Sequence, residues 1–139
     1  MKIILRNIIL CLFLSITLIN CGQSKLDGAG VAENFVKNYY KFMNQAEAIK
    51  LTDMGAKDKL GKELELVTEA RAKAPQQLDE TRSKIGYKLS DSKFEGNMGF
   101  LTFTLSIVPN GGQGFDRNAL ITVQKINDSW KVINYEETN

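Results

Sequence analysis

Histidine is absent from this chain of 139 residues. That removes the commonest general base, the commonest metal ligand and every Ser-His or Cys-His nucleophile pair, so a metal site would need carboxylates alone. Cysteine is scarce too: Cys11 sits in an apolar run and Cys21 stands just beyond it. No disulfide framework follows from this pair, because the run that holds Cys11 reads as a cleaved leader. Proline occurs only at Pro75 and Pro109, which marks two breaks and leaves the rest open to helix and strand. An excess of one sign of charge is also missing. Of the 18 Lys and Arg, Lys2 and Arg6 lie within residues 1–20, and without them 16 bases face 16 acids. A domain with no net charge and no basic run lacks the electrostatic footprint of a nucleic-acid partner. Finally, no apolar stretch reaches the roughly 20 residues that a membrane-spanning helix needs.

What the chain does have at its start is a basic opening, an apolar run over residues 8–19 and then Cys21. About a dozen apolar residues suit the core of a secretory signal, and residues 1–20 are read as one. The four residues Leu18-Ile19-Asn20-Cys21 resemble the bacterial lipobox, a short branched-apolar stretch ending in the acceptor cysteine. Asn20 stands where that pattern usually has Gly, Ala or Ser. The resemblance implies cleavage before Cys21 and acylation of it, so Cys21 is the expected lipid-attachment residue and a membrane the expected partner. Two or three acyl chains make a stable anchor, at about 0.8 kcal/mol per buried methylene. Gly22, beside the acylated residue, resembles the outer-membrane default rather than the aspartate retention signal, so the outer membrane of a bacterial envelope is the expected address. Residues 22–30 are polar and carry Gly22, Gly28 and Gly30, the composition of a short flexible tether. The expected division is a leader over 1–20, a lipidated tether over 21–30 and one α+β domain over 31–139.

Within that domain the hydrophobic period changes once. Val31, Phe35, Tyr39 and Phe42 or Met43 fall three to four apart, which predicts a helix over 31–43. Ala46, Ile49 and Leu51 predict a short second helix. Leu60, Leu64, Val67 and Arg71, with Leu66 beside them, predict a third over 57–73 that Pro75 ends. Residues 76–84 read as a polar turn or loop. Beyond them Leu101, Phe103, Leu105 and Ile107 alternate with polar positions, as do Ala119, Ile121 and Val123, which predicts half-buried strands over 100–107 and 118–126. A weaker strand precedes them over 87–94, and a last one runs over 130–135. Gly96-Asn97 and Asn127-Asp128 are two-residue hairpin turns, and the glycine-containing link over 109–114 also suits a hairpin. The expected fold class is therefore α+β: N-terminal helices packed on a four-stranded antiparallel meander.

This order resembles the cystatin-like lipoprotein families within the nuclear-transport-factor-2-like superfold. The residues that carry the likeness are Ala32-Glu33-Asn34-Phe35-Val36-Lys37-Asn38-Tyr39-Tyr40, Gln45-Ala46-Glu47-Ala48-Ile49, the strand over 99–107, and the closing hairpin Lys125-Ile126-Asn127-Asp128-Ser129-Trp130-Lys131-Val132-Ile133. Many relatives have Gly in that final turn, where this chain has Asp128-Ser129. The resemblance implies a curved sheet and a cone-shaped pocket between sheet and helices, and no single activity.

The candidate sites are few. Relatives in the superfold that work as enzymes use an aspartate with Tyr or His in the cone, for which Asp53, Asp116, Tyr39 and Tyr40 are the available residues, although no motif selects them. Asp53, Asp58, Glu63 and Glu65 lack calcium-loop spacing and are expected at the solvated surface, like the alternating charges of Lys57-Asp58-Lys59 and Lys62-Glu63. Gly111-Gly112-Gln113-Gly114 precedes a strand rather than a helix and so is no phosphate cradle. Among the aromatics, Phe35, Phe103 and Trp130 fall on inward faces. Tyr40 and Phe100 fall off the inward stripes and are the expected ligand contacts, with Tyr39 and Trp130 beside them. No cofactor is expected. The sequence thus points to a lipid-anchored, exported, non-enzymatic module that binds a small ligand or a protein. The alternatives are a carboxylate and tyrosine enzyme in the cone, or a homodimer paired through the sheet face.

Overall fold

A computed structural model describes residues 26–74 and 82–138 of the chain. The leader, Cys21 with the first part of the tether, and most of the polar link expected over 76–84 lie outside the described residues.

The first helix, α1 (Gly28–Val36), starts where the Asp27 side chain accepts from the Gly30 amide at 2.7 Å, which satisfies an otherwise orphaned donor. It begins three residues before the apolar stripe at Val31, so Gly28, Ala29 and Gly30 belong to the domain and not to the tether. Gly28 is there for packing. A Cβ added to it would lie 2.7 Å from Phe94 Cε1 and 3.0 Å from Trp130 Cε3, two rings that meet edge-on with centroids 5.7 Å apart.

After Val36 the helix widens. Over Lys37–Lys41 the backbone bonds span five residues, as in Phe42 N–H to Lys37 O at 3.0 Å. A wide turn of this kind admits one residue more than an α-turn. Asn44 then caps α2 (Gln45–Ala48), which tightens into a short turn over Ile49–Leu51. Asp53 caps α3 (Met54–Lys73), accepting from the Met54 amide at 2.8 Å. Only the first half of α3 is sealed against the protein: Ala56 and Leu60 are buried, whereas Leu66 is 67% exposed. Near its end Arg71 donates to Met43 O, and Arg82 just before the sheet donates to Phe42 O.

The sheet is a curved, unclosed antiparallel meander of β1 (Lys84–Glu95), β2 (Met98–Val108), β3 (Phe115–Ile126) and β4 (Ser129–Thr138), in that spatial order. Its turns follow their chemistry. Asn127 and Asp128 take φ of 48° and 62°, as a two-residue turn matching strand twist requires, and Gly96 takes 58° in the first hairpin. Bulges fall at Leu89/Asp91 in the β1·β2 pair and at Thr122/Val123 in the β3·β4 pair. All three helices lie on one face of the sheet, where Leu101, Phe103, Leu105, Ala119, Ile121, Val123, Val132 and Tyr135 meet Val31, Phe35 and Val36. The arrangement is α+β, as the hydrophobic pattern predicts, and is consistent with the cystatin-like, nuclear-transport-factor-2-like fold.

The two edges of the sheet differ. Thr52 forms a parallel bridge to Val132, the Asp53 amide donates to Val132 O at 2.9 Å, and Lys131 reaches Lys50 O, so the chain entering α3 covers β4. Beyond β1 no further strand pairs among the described residues.

Candidate functional site

The most concentrated chemistry among the described residues lies under the helices, where four aromatic rings surround one carboxylate. Phe35 from α1 stacks on Tyr39 at 5.4 Å between centroids and leans on Tyr135 of β4 at 5.1 Å. Tyr39 meets Tyr40 edge-on at 4.7 Å and Tyr135 at 5.0 Å. Into this group α3 inserts Glu63. Its Oε2 accepts from the Tyr39 hydroxyl at 2.6 Å, and its Oε1 from the Tyr135 hydroxyl at 3.0 Å. Lys59, one turn earlier, donates to Tyr135 O at 3.1 Å and sits 4.0 Å above the Tyr135 ring centre, close enough for a cation–π contact.

Glu63 therefore departs from the solvated surface expected of it. Ala56, Leu60, Glu63 and Val67 recur at four, three and four residues, so the carboxylate falls on the packed face of α3. The signal was present in the spacing, and the general rarity of buried carboxylates outweighed it. Two hydroxyl donors offset the cost of removing the carboxylate from water.

Burial, followed by the bond to Glu63, raises the Tyr39 pKa far above the ordinary tyrosine value, and the same two causes raise that of Tyr135. Burial, followed by the charge of Glu137, raises that of Tyr40. These hydroxyls hold their protons throughout the neutral range. The cluster ties α1, α3 and β4 together at one carboxylate, with both carboxylate oxygens already engaged.

The residues singled out by sequence do not share one site. Tyr40 is a correction: it is 6% exposed and belongs to the core, its hydroxyl buried without a partner among the described residues. A straight helix would leave it beside the inward stripe, but the wide turn over Lys37–Lys41 carries it underneath. Tyr39 is half-buried and bonded to Glu63. Trp130 is half-buried and packs on Phe94 over Gly28. Phe100 is 36% exposed, on the sheet face turned away from the helices. Asp53 is a helix cap at the β4 edge, and Asp116 accepts from Ser106 at 2.8 Å on the far face, so neither joins the tyrosines. No cluster of three or more Asp, Glu, Cys or His among the described residues is arranged to hold a metal ion.

Open surface lies on that far face. A depression of about 680 Å³ is lined by Lys88, Ser90, Thr104, Ser106 and Asp116, among others. Ser90 and Thr104 are bonded at 2.6 Å across it. A smaller one, of about 260 Å³, continues toward Val108 and Phe115.

The clasp makes a direct prediction. Glu63→Ala is expected to cost about 2 to 4 kcal/mol, because it leaves two largely buried hydroxyls without an acceptor at about 1 to 3 kcal/mol each. Glu63→Gln, which keeps one acceptor oxygen, is expected to cost less. Urea unfolding of the three proteins measures both, and equal stability of wild type and Glu63→Ala would show that the clasp contributes nothing.

Compared with family models and with curated proteins, the chain matches none of them.

Proposed function

We propose that this chain is an exported lipoprotein, anchored through acyl chains on Cys21, whose domain is a cystatin-like, nuclear-transport-factor-2-like module that binds a partner without transforming it. The anchor rests on the leader, with Lys2 and Arg6 ahead of residues 8–19, and on Leu18-Ile19-Asn20-Cys21. The observation that carries the binding role is the placing of open surface. The region between helices and sheet, where relatives that are enzymes keep their acid and base, is occupied by Phe35, Tyr39, Tyr40 and Tyr135, with Glu63 already holding two hydroxyls. The larger depressions lie on the opposite face, where Phe100 and a row of hydroxyl side chains meet solvent. A ligand or protein partner is expected there and not in the cone.

The anchor is tested by Cys21→Ala. In the native host the variant is expected to move from the membrane fraction to the soluble fraction and to lose incorporation of a labelled fatty acid. An unchanged distribution would overturn the lipoprotein reading.

A further inference from the structure

The β1 edge carries a pattern that its own sheet does not use. Before the bulge, Lys84 and Lys88 pair with Val108 and Thr104 of β2; after it, Asp91 and Glu95 pair with Thr102 and Met98. All four partners lie at even positions of β2, on the face away from the buried Leu101, Phe103 and Leu105, so these four charged residues share one face. That arrangement depends on the bulge. In an unbroken strand side chains alternate, and residues three or eleven apart, as Lys88 is from Asp91 and Lys84 from Glu95, stand on opposite faces. The extra residue supplied at Ser90 brings both pairs to the same side.

We infer that two copies of this chain join through their β1 strands, antiparallel about a two-fold axis at the bulge, to form one continuous eight-stranded sheet. A two-fold axis perpendicular to the sheet keeps each residue on its own face and sets position n opposite a fixed partner. With the axis at Leu89 and Ser90, Lys88 stands opposite Asp91 of the other copy and Lys84 opposite Glu95, and each contact occurs twice by symmetry. On the helix side the same register sets Ile85 against Phe94, which is 44% exposed in the single chain. Lys93 falls opposite Gly86, which has no side chain to obstruct it. Opposite charges directly across a strand pair stabilise it, and like charges there destabilise it. The other edge is closed by Thr52 and Asp53, so the pairing ends at two chains.

Sedimentation velocity of the full chain in non-ionic detergent at low salt, over a dilution series, tests the pairing. The wild type is expected to pass from monomer to dimer as concentration rises. Lys88→Glu and Asp91→Lys, both at exposed positions, each set like charges opposite one another twice, and each is expected to weaken the dimer roughly tenfold or more. The combined Lys88→Glu/Asp91→Lys protein restores opposite charges with the signs exchanged and is expected to recover the wild-type dimer. The inference is overturned by a monomer at every concentration, by a dimer indifferent to the single reversals, or by failure of the combined variant to recover.

Discussion

Replacing Phe35 by alanine is expected to remove about 3 to 5 kcal/mol of stability, the range for deleting a fully buried aromatic ring. Phe35 has no exposed surface and stands where α1 crosses the sheet, its ring against both Tyr39 and Tyr135. Its loss leaves a cavity whose walls are held by other contacts. Leu101, Ile121 and Val132 are fixed in paired strands, and the two tyrosines are held in place by their bonds to Glu63. The void should therefore collapse only in part, which places the cost high in the range. Since a domain of this size is stable by about 5 to 15 kcal/mol in all, the variant is expected to sit close to its unfolding transition at room temperature. Phe100→Ala, on the partly exposed far face, is the matched control and is expected to cost less than about 1 kcal/mol. Urea midpoints of wild type and both variants give the comparison. A loss below about 1 kcal/mol for Phe35→Ala would mean that α1 does not pack on the sheet as described.

The second large effect is alkaline. Tyr39, Tyr40 and Tyr135 all have pKa values raised in the folded protein, chiefly by burial. The folded state therefore holds these protons more tightly than the unfolded chain, in which tyrosine titrates near pH 10. Their contribution is fully present below about pH 10 and is lost as pH rises toward the folded values, because the unfolded state then gains by ionising. Each tyrosine lowers stability by up to about 1.4 kcal/mol per pH unit in that window, so the three together can exhaust a typical stability within a few pH units. Tyrosinate absorbance is expected to appear in step with loss of secondary structure and not ahead of it. Tyr40→Phe is expected to flatten the decline, and at neutral pH to cost little, since its hydroxyl has no partner to lose. Smooth ionisation of all four tyrosines in a protein that stays folded would contradict the burial assigned to them.

Much of this architecture was legible in the residues. The central strands were plain because Leu101, Phe103, Leu105 and Ala119, Ile121, Val123 keep strict alternation over a sheet with one buried face. The hairpins were plain because Asn127-Asp128 and Gly96-Asn97 tolerate the backbone their turns demand. β1 read weakly for a physical reason: the bulge at Leu89/Asp91 switches its faces midway, and a pattern that changes phase looks like no pattern. The start of α1 was missed because Gly28 and Gly30 have the composition of a linker, although Gly28 is small to admit the rings of Phe94 and Trp130. Tyr40 was misplaced because a uniform helical period was assumed across residues 37–41. Glu63 was misplaced because composition spoke against what its spacing implied. In each case long-range packing decided, and it involved residues 24 to 102 positions away in sequence.

The widened turn over Lys37–Lys41 sets a limit on how the gene for this domain can vary in length. Shortening this segment by a single codon would restore the tighter helical pitch and rotate everything after it by about 100° relative to Phe35. Tyr40 would swing out toward water, and Asn44 would no longer stand where it starts the next helix. An exposed loop absorbs an insertion or deletion by changing its path, whereas this segment has to count its residues. Drift in length should be tolerated around residues 109–114 and selected against here.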